Sequence, residues 1–198
     1  MADQLLLENG KLTLSTEEGQ RLERPESDLI EMLRKELVAP LGDAALPDGV
    51  KFVEWRNPFL VVVHQMPAHV RRLRWIAADS PSDYGPGTKY RVVRLSVPYA
   101  ITLAVYSLQQ GQLFLTSNNE LYFRNAPLRN RSDALFFPAL LNISKVARRK
   151  REATWICVQH LQVQPGMGWS EQLEALLNHT WNGAFNRSSE RHEGASWY

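Results

Sequence analysis

The spacing of apolar residues changes twice along the chain. Over residues 27–38, Leu29, Ile30, Leu33, Leu37 and Val38 recur at helical spacing, and Pro40 and Gly42 stop the run. This predicts an amphipathic helix with its start at Pro25, Ser27 and Asp28. From Val50 the pattern becomes alternating or continuously apolar, which predicts strands over 50–55, 59–65, 70–77, 90–97, 99–108, 113–116 and 121–124. Ser80-Pro81 and Tyr84-Gly85-Pro86-Gly87 mark an exposed loop over 79–89. After Pro165-Gly166 the helical period returns. Trp169, Leu173, Leu176, Leu177 and Trp181 share one stripe, with Ser170 as the expected N-cap and Asn182-Gly183 as the end. Near the start, Leu5-Leu6-Leu7 and Leu12 and Leu14 flank Asn9-Gly10, a pattern that fits a small hairpin or a loosely held arm. Strands in close succession imply an antiparallel meander with helices on one face, hence an α+β fold. The division that follows is an N-terminal arm 1–26, a domain 27–183 and a C-terminal tail 184–198.

Composition narrows the chemistry. At 198 residues and 44% hydrophobic the chain can build one core, and a formal charge of +2 gives no global field for nucleic acid or membrane. The single cysteine excludes an internal disulfide and any multi-cysteine zinc site. The five histidines show no ligand spacing, and there is no Gly-rich phosphate loop, so no metal and no organic cofactor is expected. No apolar run nears the roughly 20 residues that span a bilayer. Asp3 and Glu8 argue against a secretory leader. The expectation is a soluble, cytoplasmic protein. Arg71, Arg72, Arg74, Arg91 and Arg94 would share one sheet face if their strands pair, either as a basic surface for a partner or as the wet side of a sheet. The run Arg148-Arg149-Lys150-Arg151 is either a grip for an acidic or phosphate partner or a solvated hairpin tip.

The lone thiol, Cys157, lies in Trp155-Ile156-Cys157-Val158. Its apolar neighbours suit a core filler, since free cysteine is among the most buried residue types, and the alternative is a nucleophile. Upstream stands Pro138-Ala139-Leu140-Leu141-Asn142, and downstream Gln159-His160-Leu161 leads to Gly168-Trp169-Ser170 and the second helix. This order resembles ubiquitin-conjugating enzymes. In that family a helix and an antiparallel meander precede a His-Pro-Asn segment, an Ile-Cys-Leu stretch, a Trp-Ser turn and a helix. The stretch Leu121-Tyr122-Phe123-Arg124-Asn125-Ala126-Pro127 up to Asn142 is similar to bacterial relatives of the family. The departures are Phe137 in place of the motif histidine, three residues between Pro138 and Asn142, a hairpin extended through 147–152, and Gln159 where the family has an acid.

The resemblance implies a cysteine thioester carrier in a bacterial ubiquitin-like conjugation pathway. Cys157 would take the acyl group, Asn142 would donate to the oxyanion, and His160 would tune the thiol or deprotonate the incoming amine. The implied partners are a ubiquitin-like protein and a ubiquitin-activating-type enzyme docking on the first helix. The alternative is a catalytically inactive binding module of the same fold, acting through its sheet or its basic hairpin.

Overall fold

The computed structural model describes residues 4–8, 11–15, 21–25, 46–56, 58–109, 112–148, 151–164 and 166–187; before residue 46 the only side chains included are those of Thr13 and Glu23. The helix expected over 27–38 lies outside the described residues, as do Asn9, Gly10 and the tail beyond 187. Among the described residues there are thirteen strands and one helix. The strands are β1 (Gln4–Glu8), β2 (Lys11–Ser15), β3 (Arg21–Pro25), β4 (Val50–Arg56), β5 (Phe59–Met66), β6 (His69–Ile76), β7 (Tyr90–Val97), β8 (Tyr99–Gln109), β9 (Gln112–Leu115), β10 (Glu120–Arg124), β11 (Ile143–Arg148), β12 (Arg151–Ile156) and β13 (Ala184–Phe185). The helix, α1, spans Trp169–Asn182. No helix among the described residues is long and apolar enough to cross a membrane.

This corrects the expected fold class. The ubiquitin-conjugating α+β arrangement places a helix before a sheet whose successive strands are neighbours. Here the described chain is mostly strand, its one helix is C-terminal, and the main sheet runs β10-β8-β5-β4-β1-β2-β3 with β9 also on β8. Strands β6 and β7, which a meander would insert between β5 and β8, leave the sheet and form a second one in the order β13-β6-β7. The cause is two prolines. Met66 opposes Ala100 and His69 opposes Val97, so Pro67-Ala68 on one leg faces Pro98-Tyr99 on the other. Proline has no amide hydrogen to give a ladder, and both legs break at the same level.

The four strands are therefore one long hairpin, 59–76 against 90–107, whose register survives the break. What changes is the side-chain alternation. In the proximal half the even-numbered Leu60, Val62, Ala104 and Tyr106 enter the main core; in the distal half the odd-numbered Leu73 and Val97 do so, joined by the even-numbered Ile76 where β6 ends. A shift of one residue on each leg exchanges the two faces of a strand, and the hairpin keeps an apolar face toward α1 along its whole length.

Of the two readings of the N-terminal segment, hairpin or loosely held arm, the structure has the hairpin: β1 and β2 pair with Glu8 opposite Lys11, and they extend the sheet through Leu7 opposite Val53. Strand β8 serves two partners on its other side, β10 opposite 99–103 and β9 opposite 106–109. Asn119 fills the gap between them: its Oδ1 accepts from the Val105 N–H at 2.9 Å and its Nδ2 donates to the Thr116 carbonyl at 2.6 Å. The helix begins two residues earlier than Ser170 suggests. Gly168 is its N-cap, and the Glu171 carboxylate accepts from the Gly168 N–H at 2.7 Å. It buries Leu173, Leu176 and Trp181 against the sheet, while Gln172 accepts from the Leu115 N–H and donates to the Leu113 carbonyl, closing the free edge of β9. A second cluster, Phe52, Ile101, Tyr122 and Leu128, with Leu135 packed against it, fills the opposite face of the main sheet.

Candidate functional site

Cys157 follows directly on β12, which pairs with β11 in the long hairpin that the sequence suggests, Ala147 opposite Glu152. The thiol-bearing residue is neither sealed nor fully open but half-buried. Its backbone is held from two sides. The Cys157 N–H donates to the Asn142 carbonyl at 3.1 Å, and His179 Nε2 on α1 donates to the Cys157 carbonyl at 2.8 Å. Asn142 and Cys157 are thus brought together by their main chains.

The Asn142 side chain is committed elsewhere. Nδ2 donates to the Ala184 carbonyl at 2.8 Å and Oδ1 accepts from the Asn186 N–H at 3.1 Å. Asn142 also has φ of +66°, a left-handed conformation that asparagine tolerates better than most residues. Its amide mimics a strand partner for the segment around β13, which pairs in parallel with β6. His160 is exposed and makes no hydrogen bond or ion pair. The histidine that does reach the Cys157 segment is His179, and no spacing in the sequence singles it out. Among the described residues no group of histidine, cysteine, aspartate and glutamate is arranged to hold a metal ion.

The second candidate is the distal half of the long hairpin. Leu73, Trp75, Val93 and Val97 face inward, where Trp75 stacks on Phe185 with ring centroids 5.5 Å apart. Arg71 belongs to this inner row and lies 4.7 Å from the Trp181 ring; burial pulls its guanidinium below the ordinary arginine value. Arg91, opposite Trp75, also falls in the inner row. The five arginines therefore do not share a face. Three of them do: Arg72, Arg74 and Arg94 stand on the outer face with Val70, Val92 and Ser96.

The outer face is open. Val70 is 55% and Val92 61% exposed. Arg72 is directly opposite Arg94, and Arg74 opposite Val92. Hydrogen-bonded and open pairs alternate along an antiparallel ribbon. The Ala77 N–H donates to the Lys89 carbonyl at 2.9 Å, which fixes the odd residues of β6 as the bonded ones and makes Arg72–Arg94 an open pair. Open pairs bring side chains closest, with Cα atoms about 4.5 Å apart. The two arginines stand directly across from each other there, and neither makes a hydrogen bond or an ion pair with a described residue. Arg74 has only the Tyr90 ring, 4.6 Å away. By contrast Lys89 is satisfied by Asp79, whose carboxyl it holds below the usual carboxylate range, with Arg91 adding to the effect. The basic run at 148–151 closes β11 onto β12; within that hairpin Lys145 pairs with Glu152, and the side chains of the run itself lie outside the described residues.

No protein-family model matches this chain, and no curated protein and no solved structure matches it either.

Proposed function

We propose that this protein is a binding domain that recognises an anionic partner through the outer face of β6 and β7. The observation that supports this reading is the Arg72–Arg94 pair. Like charges directly opposite each other destabilise a sheet, and here they stand beside two exposed valines with no carboxylate among the described residues paired to either. An anion seated between them would relieve the repulsion, and a partner that covers the face would bury Val70 and Val92. The test is equilibrium binding of the full chain to labelled polyglutamate and to a single-stranded oligonucleotide, over a salt series. Binding that weakens with salt and falls at least roughly tenfold in R72E/R94E, with an unchanged melting profile, is the expected result. Equal binding by the variant, or no binding of either polyanion, overturns the reading.

The carrier reading, a ubiquitin-like modifier held on Cys157 as a thioester, keeps one supporting observation: the cysteine is half-buried rather than enclosed. Against it, the Asn142 amide is occupied by the backbone around β13, so an oxyanion donor would have to leave that segment unpaired. A thiol-sensitive adduct with an activating enzyme, a modifier and ATP, lost in Cys157→Ala, would restore this reading over the first.

A further inference from the structure

The outer face of the distal hairpin ends in an open strand edge. In the second sheet β6 lies between β13 and β7, so among the described residues β7 has a partner on one side only. The hydrogen-bond phase set by Ala77 and Lys89 assigns the backbone groups of β7. Those of Arg91, Val93, Leu95 and Val97 point to β6, and those of Tyr90, Val92, Arg94 and Ser96 point away from it. The free edge therefore presents four N–H and four C=O groups in regular succession. No proline interrupts them, and β7 pairs with β6 without a register shift.

Exposed edges of this kind are templates for another strand, and charges along them select against the wrong one. A second copy of this chain is a poor occupant: antiparallel pairing of β7 with itself sets the outer row of Arg72, Arg74 and Arg94 in one copy beside the same row in the other, and neither β6 nor β7 contains a carboxylate. Nucleic acid is also disfavoured. A phosphodiester backbone supplies acceptors but no donors for the four carbonyls, and the outer face carries no exposed ring for base stacking beyond Tyr90, which Arg74 already covers. An extended polypeptide satisfies both kinds of backbone group.

We infer that β7 is completed by an extended segment of a partner protein in which acidic and apolar residues alternate. The inference rests on the anionic-partner reading above and adds the chemistry of that partner. Side chains of an added strand fall alternately on the two faces. The acidic row lies on the outer face beside Arg94 and Arg72; the apolar row lies on the other face beside Leu95, which is itself exposed, and Val93. Main-chain bonds supply affinity, and the arginines select the sequence.

The experiment is fluorescence anisotropy of the full chain with a labelled peptide of about ten residues alternating glutamate and valine, a usual strand length. A second copy of the peptide carries N-methyl groups on every other amide, those that would face β7. Labelled polyglutamate and an oligonucleotide of equal charge serve as comparison ligands. Wild-type protein is expected to bind the alternating peptide most tightly, with a loss of roughly tenfold or more on N-methylation. Val92→Pro removes an N–H that faces the free edge and leaves the β6 ladder intact, so it should weaken the peptide by a similar factor. Insensitivity to N-methylation overturns strand addition while the anion reading stands, and this arm does not depend on the variant folding. Tighter binding of the oligonucleotide overturns the polypeptide partner. Failure of every ligand, or no effect of R72E/R94E, overturns the anion reading itself.

Discussion

The two halves of the long hairpin are made from the same two legs in one register, yet they end in opposite environments. In the proximal half, β5 and β8, both faces are covered: Leu60, Val62, Ala104 and Tyr106 face α1, and Ile101 packs with Phe52, Tyr122 and Leu128 on the other side. In the distal half, β6 and β7, one face is buried and the other exposes Arg72, Arg74, Arg94, Val70 and Val92. Strand propensity does not separate them, since valine, leucine and aromatic residues are frequent in both. The difference is the second layer. The segment that carries Leu128 and Leu135 closes over the proximal half, with the Leu128 N–H donating to the Gln65 side chain; among the described residues nothing equivalent lies over the distal half. Strand composition followed the layer: continuous apolar runs where two layers enclose the sheet, arginines on the open face where one does.

The sharpest test of this contrast is a pair of truncations. Ile101→Ala removes a fully buried side chain and should cost about 2–5 kcal/mol. Val92→Ala, on the outer face, should stay within about 0.5 kcal/mol of the parent. Urea denaturation with a shared slope measures both. A loss at Val92 as large as at Ile101 would mean that the outer face is covered in the free protein.

A second break acts on the distal half alone. Asn142→Ala deletes both bonds that hold the segment around β13 and places a β-carbon side chain without polar compensation at φ +66°. Two hydrogen bonds of about 0.5–1.5 kcal/mol each set the scale. Amide exchange should accelerate in β13, β6 and β7 and remain slow in β5 and β8. Uniform acceleration would show that the two halves do not open separately. Asn142→Gly, which suits the backbone but lacks the bonds, should fall between the parent and the alanine variant.

The legible parts of the fold were those carried by local pattern. Most strand positions from Val50 onward, the C-terminal helix, the 79–89 loop and the extended 147–152 hairpin follow from spacing and turn residues; the pattern around Asn9-Gly10 leaves a hairpin and a loose arm equally open, and β3 carries no pattern that marks it as a strand. The pairing did not follow, because Pro67 and Pro98 read individually as strand ends; that they face each other and fold the hairpin over is visible only once Met66 is opposite Ala100. The order of elements around Cys157 matched a conjugating enzyme without its sheet topology, since a cysteine after an apolar run and a Trp-Ser before a helix are local features that more than one topology accommodates. The arginine alternation was readable, but the face of each arginine was not, because the shift at the prolines decides which residues point inward. Side chains acting at long range were not readable at all: Gln172 closing β9, and Glu54 between Arg56 and Arg131.

A smaller difference between the halves should appear with pH. His64, on β5, is buried with Nε2 3.1 Å from the Asp48 carbonyl, and Nδ1 lacks a partner. Burial lowers its pKa below 6.5, with Lys51 adding to that and the Asp48 carbonyl opposing it. The unfolded chain then binds more protons than the folded one as pH falls through 6.5. The stability that His64 contributes as a neutral group is present above that pH and is lost on acidification toward its folded value. His64→Gln should flatten the pH dependence of the urea midpoint between about pH 7.5 and 5.5. An unchanged slope in His64→Gln would place the titrating group elsewhere.

The smallest effect is the most informative about the arginine pair. Arg94→Glu changes a like-charge open pair into an opposite one, with Arg72 directly across. Cross-strand pairs contribute about 0.2–1 kcal/mol, so the variant should be slightly more stable than the parent, and the gain should shrink in high salt because both groups are exposed. The same substitution should weaken binding of an anionic ligand. Stability and binding moving in opposite directions is the mark of a surface kept unfavourable in the free protein for the sake of a partner. Arg94→Gln separates the contributions: relief of repulsion without a new attraction should give part of the stability gain and part of the binding loss. If Arg94→Glu lowers stability instead, the two guanidinium groups do not repel in the free protein, and the outer face loses its reason to seek an anion.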